Sequence, residues 1–198
     1  MLASTDYGHT ALHISMHNRH LAVTKTLIKA GADVEAKATC FTGTTKIAGH
    51  TPLHLASGMG FCDGMVALIG AGANINSRLS NGATPLYLSA CTGKIEALRI
   101  LLRAGADPLL PVDNNLPLDV ASQEGHLQVV RELVQKFGVE GCSFTGGVDA
   151  LDTAAFLGYT LIISFLSDSV VLGDEGTAFY AVVEGRHIEC LKLLLQRR

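Results

Sequence analysis

The chain has no tryptophan and few aromatic or charged residues. Of its 198 residues, 6% are aromatic and 17% are charged, and the formal net charge is −3. No clustered basic stripe of the kind that phosphate backbones require is visible, so we expect no nucleic-acid partner. Apolar residues make up 48% of the chain, yet they never run without interruption for the ~18 residues of a membrane span. We therefore expect no membrane insertion.

Cysteine pairs with a framework spacing are also missing. The five cysteines, at 40, 62, 91, 142 and 190, are odd in number and form no C-x-x-C pair, which indicates reduced thiols. A secretory signal has a basic segment followed by an apolar core, and residues 1–6 do not begin such a pattern. These observations predict an intracellular protein, either cytoplasmic or nuclear.

Motifs of catalysis are absent as well. The sequence contains no G-x-S-x-G, H-E-x-x-H or Walker loop, and no G-x-G-x-x-G after a strand. The histidines near the N-terminus have no carboxylate or cysteine at a fixed spacing that would complete a metal-ligand set. We expect no enzyme activity, no cofactor and no metal, so that function would come from surface recognition.

What the chain does contain is a repeated segment of six residues. TPLHLA at 51–56 returns as TPLYLS at 84–89, which is 33 residues later. Weaker copies lie at 10–15, 116–121, 149–154 and 177–182. Glycine follows an apolar helix end at Gly31, Gly72 and Gly105, where we expect a left-handed backbone. Threonine at the head of the segment is expected to cap a helix, and proline to occupy its first turn.

A period of 33 residues carrying T-P-L-H-x-A resembles the ankyrin repeat family, and the resemblance covers nearly the whole chain. It implies an all-α repeat solenoid of paired antiparallel helices with β-turn or hairpin fingers, curved and elongated, forming a single domain over 1–198. The repeats would lie at roughly 5–38, 46–78, 79–111, 112–143, 144–171 and 172–198.

Two places depart from the period. An insertion at 39–46 lengthens the first finger, where it is either a partner-binding loop or a tolerated surface loop. The fifth and sixth segments are only 28 residues apart, so the fifth repeat is contracted. Its apolar residues at 161–166 and 170–172 predict either an exposed docking patch or a buried helix.

The resemblance also implies which positions face a partner, because ankyrin repeats commonly bind along the concave surface around the six-residue segment. His9 and His17 flank the motif histidine His13, and His50 repeats the His9 position, so a small histidine patch is expected. The predicted partner-binding residues are Tyr7, His9, His17, Asn18, His50, Met59, Asn81, Thr92, Asp113, Asn115, Gln123 and Glu124.

By this resemblance the chain is a non-catalytic interaction module or adaptor that binds a peptide or folded protein and is itself a monomer. The alternative is a structural fragment or targeting domain of a larger ankyrin-containing protein with its activity in another domain. Asn76, eight residues after Leu68, fits the pattern of asparaginyl hydroxylation in this family. Its alternative role is that of an ordinary turn asparagine.

Overall fold

The computed structural model describes residues 8–42, 45–139, 148–169 and 176–196. These ranges contain six helix pairs and one two-stranded sheet. In chain order the elements are α1 (Ala11–His17), α2 (Leu21–Lys29), β1 (Ala38–Thr42), β2 (Thr45–His50), α3 (Pro52–Met59), α4 (Cys62–Gly70), α5 (Pro85–Cys91), α6 (Ile95–Arg103), α7 (Pro117–Gln123), α8 (Leu127–Phe137), α9 (Val148–Leu157), α10 (Thr160–Ser169), α11 (Gly176–Glu184) and α12 (Ile188–Gln196).

Each of the first helices of the central pairs begins where the repeated segment predicts. The hydroxyl of Thr84 accepts a hydrogen bond from the backbone N–H of Tyr87 at 3.1 Å, which caps α5. Pro52, Pro85 and Pro117 are the first residues of α3, α5 and α7. Proline is tolerated there because a first-turn N–H has no partner within the helix.

The glycines after the second helices also have the predicted conformation. Gly31, Gly72 and Gly105 have φ angles of 79°, 88° and 91°. This left-handed region is strained for a residue with a Cβ and free for glycine. The chain can therefore turn out of each second helix and into the next finger.

The helices form two layers, because each first helix packs on the next first helix and each second helix on the next second helix. One layer contains α1, α3, α5, α7, α9 and α11, and the other contains α2, α4, α6, α8, α10 and α12. The third residue of the repeated segment lies in the core between successive pairs. It is at most 1% exposed in Leu12, Leu53, Leu86, Leu118 and Leu151. The predicted solenoid of paired helices is confirmed.

The insertion forms a β-hairpin rather than an irregular loop. Strand β1 pairs antiparallel with β2, from Ala38 opposite His50 to Thr42 opposite Thr45, with an irregularity between Ala38 and Thr39. Residues 43–44 lie outside the described residues. Ala48 of β2 also accepts a hydrogen bond from the backbone of Ser80 at 2.9 Å. The hairpin is thus attached to the following finger.

The contraction of the fifth repeat does not shorten its helices. Both α9 and α10 have 10 residues, so the shortening falls in the connection before α11, where residues 170–175 lie outside the described residues. Ile162, Ile163 and Leu166 are buried, whereas Leu161 is exposed. The described part of this apolar segment therefore packs mainly in the core. Among the described residues no helix is long and apolar enough to cross a bilayer.

Candidate partner-binding site

The concave side of the first two helix pairs contains a cavity of about 370 Å³. Three imidazole rings and two aliphatic side chains line it, namely His9, His13, Ile14, His17 and Leu55. Ile14 is 48% exposed. We call these five residues the imidazole pocket.

Helix α1 positions the pocket because His13, Ile14 and His17 lie within one turn of each other on its concave side. Leu55 of α3 and Ile14 of α1 occupy the same position in their repeats, which is the fifth residue of the six-residue segment. The stacking of α3 on α1 brings the two aliphatic side chains to one cavity. The site therefore depends on the register of the first two pairs.

Hydrogen bonds fix the orientation of His13 at the base of the pocket. Its Nε2 lies 2.9 Å from the carbonyl oxygen of His50, and its Nδ1 lies 2.9 Å from the hydroxyl of Thr10. A carbonyl can only accept, so Nε2 carries the proton and Nδ1 is the acceptor. Burial lowers the pKa of His13, and nearby His9 and His50 lower it further. The ring is held neutral.

The same arrangement recurs in the next pair. His54 Nε2 lies 3.1 Å from the carbonyl of Ser77 and 3.3 Å from that of Ala83, while Nδ1 lies 2.9 Å from the hydroxyl of Thr51. Burial lowers the pKa of His54 to about 4. Both motif histidines thus link neighbouring units as neutral rings.

His9 and His50 each contact one of these two rings. The rings of His9 and His13 have centroids 5.6 Å apart, and those of His50 and His54 are 6.3 Å apart, both edge to face. Burial lowers the pKa of His50. His50 is only 9% exposed and does not line the imidazole pocket, and a histidine patch that contacts a partner stays a prediction.

Of the other residues predicted in the first two repeats, Asn18 is exposed at the end of α1 and Met59 is half-buried at the end of α3. The carbonyl of Met59 accepts a hydrogen bond from the guanidinium of Arg19. Neither residue lines the imidazole pocket. Tyr7 lies outside the described residues.

Two predicted residues of the third repeat bond to their own backbone. Asn81 Oδ1 accepts a hydrogen bond from the N–H of Ala83 at 3.1 Å, and the Thr92 hydroxyl donates to the carbonyl of Leu88 at 2.8 Å. Both are exposed, and these bonds use one acceptor of Asn81 and the one donor of the Thr92 side chain. Their place on the surface is as predicted, and contact with a partner stays a prediction.

The predicted polar residues of the fourth repeat are all exposed: Asp113, Asn115, Gln123 and Glu124. Asp113 has a φ angle of 48° in a tight turn that Val112 and Asn115 close by backbone hydrogen bonds of 2.9 and 2.8 Å. The turn presents its acidic side chain at the tip of a finger. An acidic region thus lies two repeats away from the imidazole pocket.

Tyr87 lies close to this acidic region. Burial raises the pKa of Tyr87 to about 12, and the charges of Asp113 and Glu124 contribute to the rise. The phenol therefore stays protonated as a hydrogen-bond donor in an acidic environment. Sequence reasoning missed this residue, although it occupies the fourth position of the segment, where the two preceding repeats have histidine.

Sequence reasoning also missed Ile14 and Leu55. The signal was available, because the fifth position of the segment is apolar in the first four copies, as Ile14, Leu55, Leu88 and Val120. Of these four residues, Ile14 and Leu55 line the imidazole pocket.

Asn76 lies in the finger between α4 and α5 and is half-buried. Its Oδ1 accepts a hydrogen bond from the backbone of Asp107 at 3.0 Å, and its own N–H donates to Asn74 Oδ1 at 3.0 Å. The side chain therefore joins two successive fingers. Its hydroxylation stays a prediction. Within 8–42, 45–139, 148–169 and 176–196, no group of three or more His, Cys, Asp or Glu residues is arranged to hold a metal ion.

Known proteins with the same repeated helix pairs match this chain in sequence and in fold. The family described as ankyrin repeats (3 copies) matches residues 2–78 and 53–145. The chain belongs to the ankyrin repeat family. The ankyrin repeat domain of human ASB11 superimposes with a TM-score of 0.76 at 24% identity, covering 95% of this chain and 83% of that one. This likeness concerns the fold.

Two curated ankyrin relatives are similar over part of the chain. XBAT34 of Arabidopsis thaliana is 35% identical over 133 residues, which are 65% of this chain and 32% of that protein. The human transient receptor potential cation channel subfamily A member 1 is 32% identical over 125 residues, 61% of this chain and 11% of that protein. The chain spans about a third or less of the length of these relatives.

Proposed function

We propose that this ankyrin repeat domain binds a protein or peptide partner through the concave surface of its first two repeats, with the imidazole pocket as the anchor site. The observation that carries the proposal is the half-exposed Ile14 in a cavity of about 370 Å³. Buried aromatic and aliphatic anchors that fill such pockets supply most of the energy of protein interfaces.

The chemistry of the lining favours a large apolar side chain with a polar edge. Ile14 and Leu55 offer aliphatic contact, while the exposed His17 offers a polar ring. A tyrosine or tryptophan combines an apolar body with one hydrogen-bond donor, so it can use both parts of the lining. We expect the partner to insert one such residue.

The acidic region of the fourth repeat would contribute in a different way. Asp113 and Glu124 are exposed, and rim charges steer encounter more than they hold a complex together. A basic segment of the partner would therefore run from the pocket toward the fourth finger. We propose a monomer inside the cell as the functional form, in which the described thiols of Cys62, Cys91 and Cys190 are free.

The experiment compares the wild type with Ile14→Arg as bait in quantitative affinity capture from the native cell. Arginine fills the pocket and places a charge beside the imidazoles, so bound partners should drop at least tenfold. Val66→Arg is the matched control, because Val66 is 58% exposed on a second helix, away from the pocket. Partners retained by the control and lost by Ile14→Arg define the site.

Helical content and melting temperature of both variants should match the wild type, since both residues are largely exposed. Equal capture by wild type and Ile14→Arg would place the binding surface elsewhere, with the β-hairpin as the next surface to test.

A second possibility is that the chain acts as the recognition part of a larger ankyrin-containing protein. It rests on the relatives, of which this chain matches 32% and 11% of the length. One of them is named as a cation channel subunit. The size of the endogenous protein, measured by immunoblotting and by intact mass after immunoprecipitation, tests this directly.

A further inference from the structure

The end of helix α9 and the turn after it carry three exposed large apolar side chains. Phe156 is 47% exposed, Leu157 is 38% exposed and Tyr159 is 36% exposed. We call these three residues the fifth-repeat patch. Apolar side chains that lie together in solvent mark interaction sites, whereas single ones are ordinary on a protein surface.

The exposure of this patch does not come from a missing neighbour. Phe156 and Leu157 hold the eighth and ninth positions counted from the start of the six-residue segment, and every residue at these two positions is exposed or half-buried in all six repeats. Helix α9 packs on α7 and on α11, so both of its neighbours in the layer are present. A further repeat would pack beyond α11 and α12, along the stack. The two side chains are therefore exposed because of the side of the helix on which they lie.

The fifth repeat alone has a large apolar residue at both positions. The other repeats have polar, small or single apolar residues there: His17, Asn18, Gly58, Met59, Cys91, Thr92, Gln123, Glu124, Glu184 and Gly185. These positions include most of those predicted from the family resemblance to face a partner. Phe156 and Leu157 thus form an apolar site on an otherwise polar part of that surface.

The fold holds this site in place. Nε2 of His187 lies 3.0 Å from the carbonyl oxygen of Phe156, and it carries the proton because a carbonyl can only accept. Gly185 lies so close to the same carbonyl that a Cβ would clash with it. The Tyr159 ring lies on Gly125, where a Cβ would be 2.9 Å from Tyr159 Cε1. A surface fixed in this way loses less conformational freedom on binding.

Exposed carboxylates lie on both sides of the patch. Glu124 holds the ninth position in the fourth repeat, next to Leu157, and Glu184 holds the eighth position in the sixth repeat, next to Phe156. Packed helices are about 8–10 Å apart, so each glutamate lies about one helix spacing from the patch. Neither glutamate forms a salt bridge with another described residue. The charge pattern along this row is therefore acidic, apolar and acidic.

We propose that the fifth-repeat patch binds an extended segment of a partner protein in which one large apolar residue has a lysine or arginine two or three residues away on each side. The apolar residue covers Phe156 and Leu157. An extended chain advances about 3.3 Å per residue, so two or three residues span the roughly 7–10 Å to either carboxylate. This inference adds a second binding site to the proposed function and does not rest on the imidazole pocket.

The experiment selects binders to the whole chain from a phage library of random 12-residue peptides. The enriched peptides are then measured on the wild type, on the double variant Phe156→Ser/Leu157→Ser and on Ile14→Arg. One group should bind the double variant at least tenfold more weakly, bind Ile14→Arg as well as the wild type, and carry the basic, apolar and basic pattern. Peptides that only Ile14→Arg weakens belong to the imidazole pocket, so the two proposals are tested separately.

Two further variants separate binding from folding. Val66→Ser is the matched control, because Val66 is 58% exposed on α4, and it should bind every peptide as the wild type does. Glu124→Gln should weaken the same group of peptides by about two- to fivefold and reduce the salt dependence of their affinity. Glu124 is the better carboxylate to change, because the exposed Arg186 lies two residues after Glu184. Helical content and melting temperature should be the same in all these proteins.

Three results would overturn the proposal. The first is that no peptide depends on Phe156 and Leu157, or that the dependent peptides have no basic residue within three positions of their apolar residue. The second is a wild-type dimer in sedimentation that the double variant dissociates, which would mean that a second copy covers the patch. The third concerns a natural protein that continues beyond residue 198: if it binds the same peptides at least tenfold more weakly, its own chain covers the patch.

Discussion

Asp119 Oδ2 accepts a hydrogen bond from the backbone N–H of Leu116 at 2.8 Å, while Asp119 Oδ1 is buried with no hydrogen-bond partner among the residues that the structure describes. The carboxyl group occupies the position that His13 and His54 hold in earlier repeats. Burial raises its pKa from 3.8 to about 6, and the charge of Asp149 adds to the rise. The fold therefore favours the protonated acid.

Asp119→Asn should stabilise the protein at neutral pH. A group with a raised folded-state pKa binds its proton more tightly in the folded state, so the unfolding free energy falls as pH rises from about 4 to about 6. Asparagine is uncharged and can keep the bond from Leu116. We expect the unfolding free energy at pH 7.5 to increase by up to about 3 kcal/mol, which corresponds to a shift of roughly two pKa units.

Urea unfolding of Asp119→Asn and wild type at pH 4, 5, 6 and 7.5 checks this expectation. The difference between the two proteins should grow with pH and vanish near pH 4. A constant difference across the series would mean that Asp119 titrates normally.

His54 should make the protein lose stability in acid. Its pKa falls from 6.5 to about 4 on folding, so its contribution is complete above pH 6.5 and is lost as pH falls toward 4. The carboxyl of Asp119 has the opposite pH dependence, so the test uses the Asp119→Asn variant. In this variant we expect the unfolding free energy to fall by about 3 kcal/mol between pH 7 and pH 4. His13 and His50 add to this loss because burial lowers their pKa values too.

The direct measurement is the NMR titration of the His54 ring, assigned by comparison with His54→Gln. A midpoint near 6.5 would contradict the burial and the neutral tautomer described for this ring.

Leu86→Ala should destabilise the domain by roughly 2–5 kcal/mol, because it leaves a cavity between α3, α5 and α7 where no side chain can collapse easily. Leu86 is 0% exposed. Val66→Ala is the control, since Val66 is 58% exposed and surface truncations usually stay within about 0.5 kcal/mol. Similar urea midpoints for the two variants would contradict the register of the stack.

Most of the fold could be predicted because its determinants are local and repeated. The leucines at the third position recur in five of the six copies, and the glycines at 31, 72 and 105 follow the first three second helices, so weak matches reinforce each other. The resemblance allowed a hairpin finger, but the strand bounds and register at 38–50 could not be predicted, because they depend on pairing between Ala38 and His50 and on contact with Ser80, which no local pattern encodes.

The candidate site was only partly predictable for a related reason. His9 and His17 follow from their places in the repeat, but the cavity arises from Ile14 and Leu55, which come from two different repeats. The burial of His50 depends on β2 as well. Periodicity gives the face on which a side chain lies, whereas exposure depends on neighbours that are distant in sequence.

Gly64 and Gly70 should respond to alanine in opposite directions, although both lie in α4. At Gly70 a Cβ would meet nothing within 4 Å, so alanine should stabilise by up to about 1 kcal/mol through its greater helix propensity. At Gly64 a Cβ would lie 2.3 Å from Phe61 Cδ1 and 3.0 Å from Met16 Sδ. Phe61 and Met16 are 8% and 0% exposed, so neither side chain has free space to move into.

Overpacking of this kind costs about 1–3 kcal/mol, which exceeds the gain in helix propensity. Gly64→Ala should therefore lower the urea midpoint while Gly70→Ala raises it or leaves it unchanged. The double variant Gly64→Ala/Phe61→Leu tests whether overpacking is the cause, because a smaller side chain at position 61 should recover part of the lost unfolding free energy. If Gly64→Ala were as stable as Gly70→Ala, the Phe61 ring would not rest on α4, and the junction that carries Arg19 would have a different structure.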